Sequence, residues 1–241
     1  MTRLVGAELL KLRTTRTFWA LAGSAVGLVL LIVVLTLALD DHLQAPSDVR
    51  ALLSTAGICG LLTLVLGVVV GAGEYRHGTI ASTLLVTPQR LRAVSAAVGA
   101  CFLGGLAIGL LAAGLTALIA LPWLSANDAL LPATGGVIEI FLGGALYAAL
   151  AAALGAAFGA LLRNQVSAVV IVLLLILVVD PVVAGLAGDV GKFTLSGLGI
   201  AMSGAEGDSD VLPRGVAAAV WSLYALLLTA LAAIFTARRD I

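Results

Sequence analysis

A carboxylate, a phenol, a guanidinium and an imidazole stand in a row at Glu74, Tyr75, Arg76 and His77. Such groups serve metal binding, proton transfer or charge-assisted recognition, and spacing separates these uses. His77 has no ligand-spaced partner and His42 is equally alone, so no metal set is visible. No nucleophile–base arrangement accompanies them either. Recognition remains. The segment lies between two long apolar runs, "LLTLVLGVVVGA" before it and "VSAAVGACFLGGLAIGLLAAGLTALIAL" after it. A turn between two such runs needs only a few residues, so the polar stretch is expected to be held by another protein. The plainer alternative is a hairpin whose charges only fix topology.

Three other places invite chemistry. Glu139 sits near one end of an apolar run, where an ionisable side chain is a default functional candidate or simply reaches the interface. Asp180 before Pro181 forms a cap-plus-first-turn pair, expected to start a fresh short helix rather than kink one long span. Neither Glu139 nor Asp180 has an obvious cationic partner. "AGLAGDVGKF" superficially suggests a phosphate loop, but Leu186 stands where its first glycine belongs and Phe193 follows Lys192 where Ser or Thr must hold magnesium.

The elements that position these groups follow from composition. Of 241 residues, 61% are hydrophobic and only 11% charged, against roughly 25% charge in soluble domains. Mean hydropathy is +1.18. Such a chain takes the bilayer as its solvent, which leaves helices or closed barrels. The apolar runs are continuous rather than alternating, so helices are expected. Six spans are predicted, at about 18–39, 51–72, 93–121, 134–162, 165–187 and 215–236. The first is read as a retained span, too long for the core of a signal peptide. The chain is then one all-α integral membrane domain over 1–241.

Charge distribution orients it. The N-terminus, residues 73–92, the turn at Arg163 and the C-terminus hold ten of the 13 Lys and Arg residues; the other segments hold Arg50, Lys192 and Arg214 among most of the acids. Positive residues favour the cytoplasmic side, so both termini are expected there, in the cell membrane. The net charge is zero and gives no reason to expect nucleic acid. Residues 1–17 read as an amphipathic elbow helix at the membrane surface, with Val5, Leu9 and Leu12 on one face and Lys11, Arg13 and Arg16 among its cations. Thr87 and Pro88 read as the cap and first position of the helix entering the third span.

Cys59 and Cys101 lie within apolar runs and read as packing residues. Four GxxxG pairs occur, at Gly23/Gly27, Gly67/Gly71, Gly105/Gly109 and Gly155/Gly159. This glycine content gives about three such pairs by chance, so the motif alone says little.

"AELLKLRTTRTFWAL", the six spans and "EYRHGTIASTLLVTPQRLRAV" together resemble the type-2 permease family of ATP-binding-cassette transporters, over the whole chain. That resemblance implies an elbow helix at the cytoplasmic surface and re-entrant helices outside the fifth span. It also implies a short cytoplasmic coupling helix between spans two and three, docked into a cleft of a separate ATPase subunit. The family pattern E-Y-R-x-G-T-I falls on Glu74, Tyr75, Arg76, Gly78, Thr79 and Ile80. Where relatives carry a Lys at the start of the third span, this chain has Ala96 and Ala97, so that contact is absent or falls to Arg92. The implied activity is export driven by ATPase partners, with a second permease copy or paralogue beside this one, no cofactor and no catalytic residues of its own. A non-transporting six-helix scaffold or sensor and an ion-coupled secondary carrier are the other readings. A carrier calls for matching repeats, and the two three-span halves differ in loop length and charge.

Overall fold

The computed structural model describes residues 2–39, 45–76, 90–127, 134–205 and 211–238, and among these it is helical without strands. Six helices are long and apolar enough to cross a membrane: α2 (Arg16–Leu39), α3 (Pro46–Arg76), α4 (Arg90–Ala126), α5 (Thr134–Leu162), α6 (Gln165–Leu186) and α8 (Arg214–Arg238). Among the described residues there are also shorter helices: α1 (Thr2–Thr14) before the first span, α7 (Leu195–Ser203) between the last two, and a single turn at Gly188–Gly191 ahead of α7. The chain is a multi-pass membrane protein. The predicted spans are present; the second and third run several residues further than hydropathy indicated, and the fourth and fifth match to within a residue. Span two starts at Pro46 because proline at the first turn and Asp48 beside it suit a helix N-terminus. Span three continues through Pro122 to Ala126.

The bundle is organised around α5. Ala148, Ala149, Ala151, Ala152 and Ala157 are fully or almost fully buried along it. Small residues let neighbouring backbones close in, since lipid gives apolar side chains little reason to prefer another helix. A Cβ on Gly67 or Gly71 would collide with the carbonyls of Ala152 and Ala156, and one on Gly155 or Gly159 with those of Leu64 and Val68. The GxxxG pairs of α3 and α5 thus interlock. Gly105 and Gly109 of α4 approach Ala148 and Ala145 in the same way, whereas Gly23 and Gly27 of α2 face open space. Three of four pairs are packing sites, which frequency alone did not reveal. Cys59 and Cys101 are buried free thiols, as expected. Tyr147 of α5 and Trp221 of α8 meet edge to face, centroids 5.2 Å apart.

The break expected before Pro181 is absent. The fifth span runs on to Leu186 through a π-helical turn at Leu175–Val179, where the Asp180 N–H reaches back to the Leu175 carbonyl. A wider turn ahead of a proline accommodates its missing donor without ending the helix. Val179 keeps helical angles, φ −70° and ψ −47°. The chain leaves the helix only at Ala187, makes one turn at Gly188–Gly191 and returns outward as α7. Because the Thr194–Ser196 segment meets Asp180, about six residues below Leu186, α7 begins roughly 9 Å inside the end of the span. Gly199 packs under Tyr147, near the midpoint of α5.

Candidate functional site at the α1 end of the bundle

The last turn of α3 carries the Glu74–Tyr75–Arg76 triplet, and the fold gives each member a partner from a different element. Lys11 of α1 donates to the Glu74 carboxylate, in an ion pair spanning 63 residues of sequence. The same ammonium lies 3.1 Å from Glu8 Oε2, one helical turn earlier. The Arg163 guanidinium sits over the Tyr75 ring, 5.0 Å from its centroid, a cation–π contact. Arg76 Nη1 donates to Gln165 Oε1 at 3.0 Å, and Arg163 Nη2 to the Phe235 carbonyl at 3.3 Å. The end of α3 is therefore tied to α1, to the turn between α5 and α6, and through that turn to α8.

Local sequence explains the positions. Leu12 is buried and joins Ala100, Cys101, Ala152 and Ala156, with Leu9 against them. Val5 approaches Gly99. The apolar stripe of α1 is thus spent largely on α4 and α5. Lys11 turns inward to Glu74 rather than outward with the basic side expected to face lipid, while Arg13 and Arg16 are exposed. Trp19 Nε1 donates to the Arg13 carbonyl at 2.8 Å and fixes the bend between α1 and α2. Arg163 adopts a left-handed backbone, φ 56°, and Asn164 accepts from the Ser167 N–H at 3.2 Å to cap α6.

Burial pushes the Glu8 carboxyl above its usual range, the Lys11 charge opposing this and the Glu74 charge adding to it. For Lys11, burial works against the charged form, but hydrogen bonding and charge from Glu74, then Glu8, more than offset it and raise its pKa. The cluster thus holds the ammonium firmly and one of its two carboxylates less so.

Gly78, Thr79, Ile80, His77 and the Thr87–Pro88 start of the expected helix lie outside the described residues, as do all of residues 77–89. At the opposite end, Glu139 does have a cationic partner: Arg214 Nη1 lies 2.9 Å from its Oε2. The partner was invisible in the sequence because it is 75 residues away. Asp180 is buried and its Oδ2 accepts from the Ser196 N–H at 2.7 Å, at the start of α7. Pro181 follows within the same continuous helix. Asp180 thus works as a second cap for α7 beside Thr194, whose hydroxyl accepts from the Gly197 N–H. Lys192 lies 2.9 Å from Asp189 Oδ1 and holds that exposed carboxyl below its usual range.

Glu8, Gln165 and Arg163 were missed as site residues. For Glu8 a signal existed, its i,i+3 spacing to Lys11; for the other two there was none. In comparison with known proteins, the chain matches no family model and no curated protein.

Proposed function

We propose that this chain is the membrane-spanning subunit of an ATP-driven exporter of the type-2 permease kind, with α1 as its elbow and residues 77–89 carrying its coupling helix. Two such subunits, identical or paralogous, pair with two ATPase subunits in the cell membrane, with both termini cytoplasmic. ATP binding closes the ATPase pair, the closure pushes the segment after Arg76, and α3 and α4 tilt together. The chain supplies pathway and lever, and its partners hydrolyse ATP.

One observation carries this reading. The Glu-Tyr-Arg triplet that opens the family's docking segment is fastened to the elbow through Lys11 and to the α5–α6 turn through Arg163. A push on the segment following it would reach three elements at once, as a lever requires. Glu74 and Tyr75 then act mainly as anchors of the lever, while Arg76, more exposed, together with Gly78, Thr79 and Ile80 meets the ATPase.

The test is co-expression with an ATP-binding-cassette ATPase subunit and affinity capture from detergent. The wild-type chain should retain the ATPase, and substituting Thr79 and Ile80 by Asp should release it while helicity by circular dichroism is unchanged. Equal retention by both chains would sink the assignment of this segment.

A further inference from the structure

The contacts of α1 divide it into two faces, and the bundle accounts for only one of them. Leu12 is buried, Val5 and Leu9 are half-buried against their neighbours, and Glu8 and Lys11 form one cluster with Glu74 at the end of α3. Arg3, Gly6, Leu10 and Arg13 recur at i, i+3, i+7 and i+10 on the other side of the helix, with Ala7 and Thr14 beside them, and every one is exposed. Arg16, at the start of α2, is exposed as well. An interfacial amphipathic helix ordinarily turns its apolar face into the bilayer. Here that face is occupied by protein, so contact between α1 and lipid runs through the opposite one.

The charge on this outward face has one sign. Among the described residues Arg3, Arg13 and Arg16 enter no ion pair. Glu8 is the one acid of α1, and it keeps only 14% of its side chain exposed and answers Lys11. Glu74 is equally withdrawn. Three guanidiniums are left facing outward, each a planar fork that takes two phosphate oxygens at once. Two exposed apolar side chains set the depth of the face. Leu10 is 64% exposed between Arg3 and Arg13, and Trp19 is 59% exposed. The Trp19 ring stays beside the face because its Nε1 donates to the Arg13 carbonyl. An indole gathers at the boundary between head groups and chains, and a leucine set among arginines inserts readily there. The level agrees, since Lys11 meets Glu74 only two residues from the end of the second span. We propose that the outward face of α1 binds anionic phospholipid of the adjoining leaflet, with phosphates on Arg3, Arg13 and Arg16 and with Leu10 and Trp19 among the first carbons of the chains. Lipid then holds α1 from outside as Leu12 and Lys11 hold it from within. The site needs no ATPase, so it stands or falls apart from the exporter reading.

The test uses the full chain in a neutral detergent, incubated with equal amounts of phosphatidylglycerol and phosphatidylethanolamine of the same acyl chains, and read by native mass spectrometry. Phosphatidylglycerol should be retained in preference. The pair Arg13→Gln and Arg16→Gln, both on exposed side chains, should weaken that preference by about fivefold for each arginine removed. The pair Arg13→Lys and Arg16→Lys keeps the charge and should retain most of it. Equal retention of the two lipids would overturn the proposal and leave the face to a protein partner. So would a preference that the glutamine pair leaves unchanged, or one that the lysine pair loses as fully as the glutamine pair does.

Discussion

At the scale of single residues, the chemistry of this chain is that of fastening. Lys11 spans Glu8 and Glu74, and losing it removes the cation that bridges these two half-buried carboxylates. Lys11→Met should therefore lower the thermal midpoint in detergent, whereas Glu8→Gln, which relieves the repulsion, should lower it less or raise it; differential scanning fluorimetry decides. The pH dependence has a definite sign. Glu8 has a folded pKa above 4.5, so between that value and its folded one the folded state binds more protons than the unfolded. This group's contribution to stability then falls as pH rises through the window and returns on acidification, and Glu8→Gln should flatten that part of the profile. Lys11, raised above 10.5, adds stability that is lost only as pH rises through its folded value.

At the scale of elements, the contacts that matter are backbone to backbone. Gly67 and Gly155 sit where α3 and α5 touch, and a side chain at either must push the helices apart. Gly155→Leu should fail to give a monodisperse chain by size exclusion in detergent, while Gly27→Leu, on an open face of α2, should behave as wild type. The re-entrant segment depends on a different device. Asp180 holds the first turn of α7, and an N-terminal carboxylate of this kind is worth about 0.5–2 kcal/mol. Asp180→Ala should speed amide exchange across Leu195–Ser203, and Asp180→Asn, which keeps an acceptor oxygen, should restore much of the protection. A slow-exchanging α7 in the alanine variant would show that Thr194 alone caps it.

At the scale of the molecule, one end of the bundle collects cations and ties its helices together, while the other holds the α7 insertion and the Glu139–Arg214 pair. If the basic end is cytoplasmic, as proposed, a cysteine replacing Asp189, which is exposed, should react with a membrane-impermeant maleimide added to intact cells, and one replacing Arg13 should react only in inverted vesicles. The native Cys59 and Cys101 are buried and provide a silent background. Labelling of the Arg13 site from outside would reverse the orientation. The sequence alone determined the solvent, the helical class and the six spans, because hydropathy and helix length are properties of consecutive residues read one at a time. Which glycine pairs close on a neighbour, that Arg214 answers Glu139, that Lys11 reaches Glu74 and that the fifth span passes through Pro181 were decided only by tertiary structure. Those outcomes depend on helix rotation and on partners 63 to 75 residues apart. Spans that are apolar on every face leave rotation undetermined until they pack together.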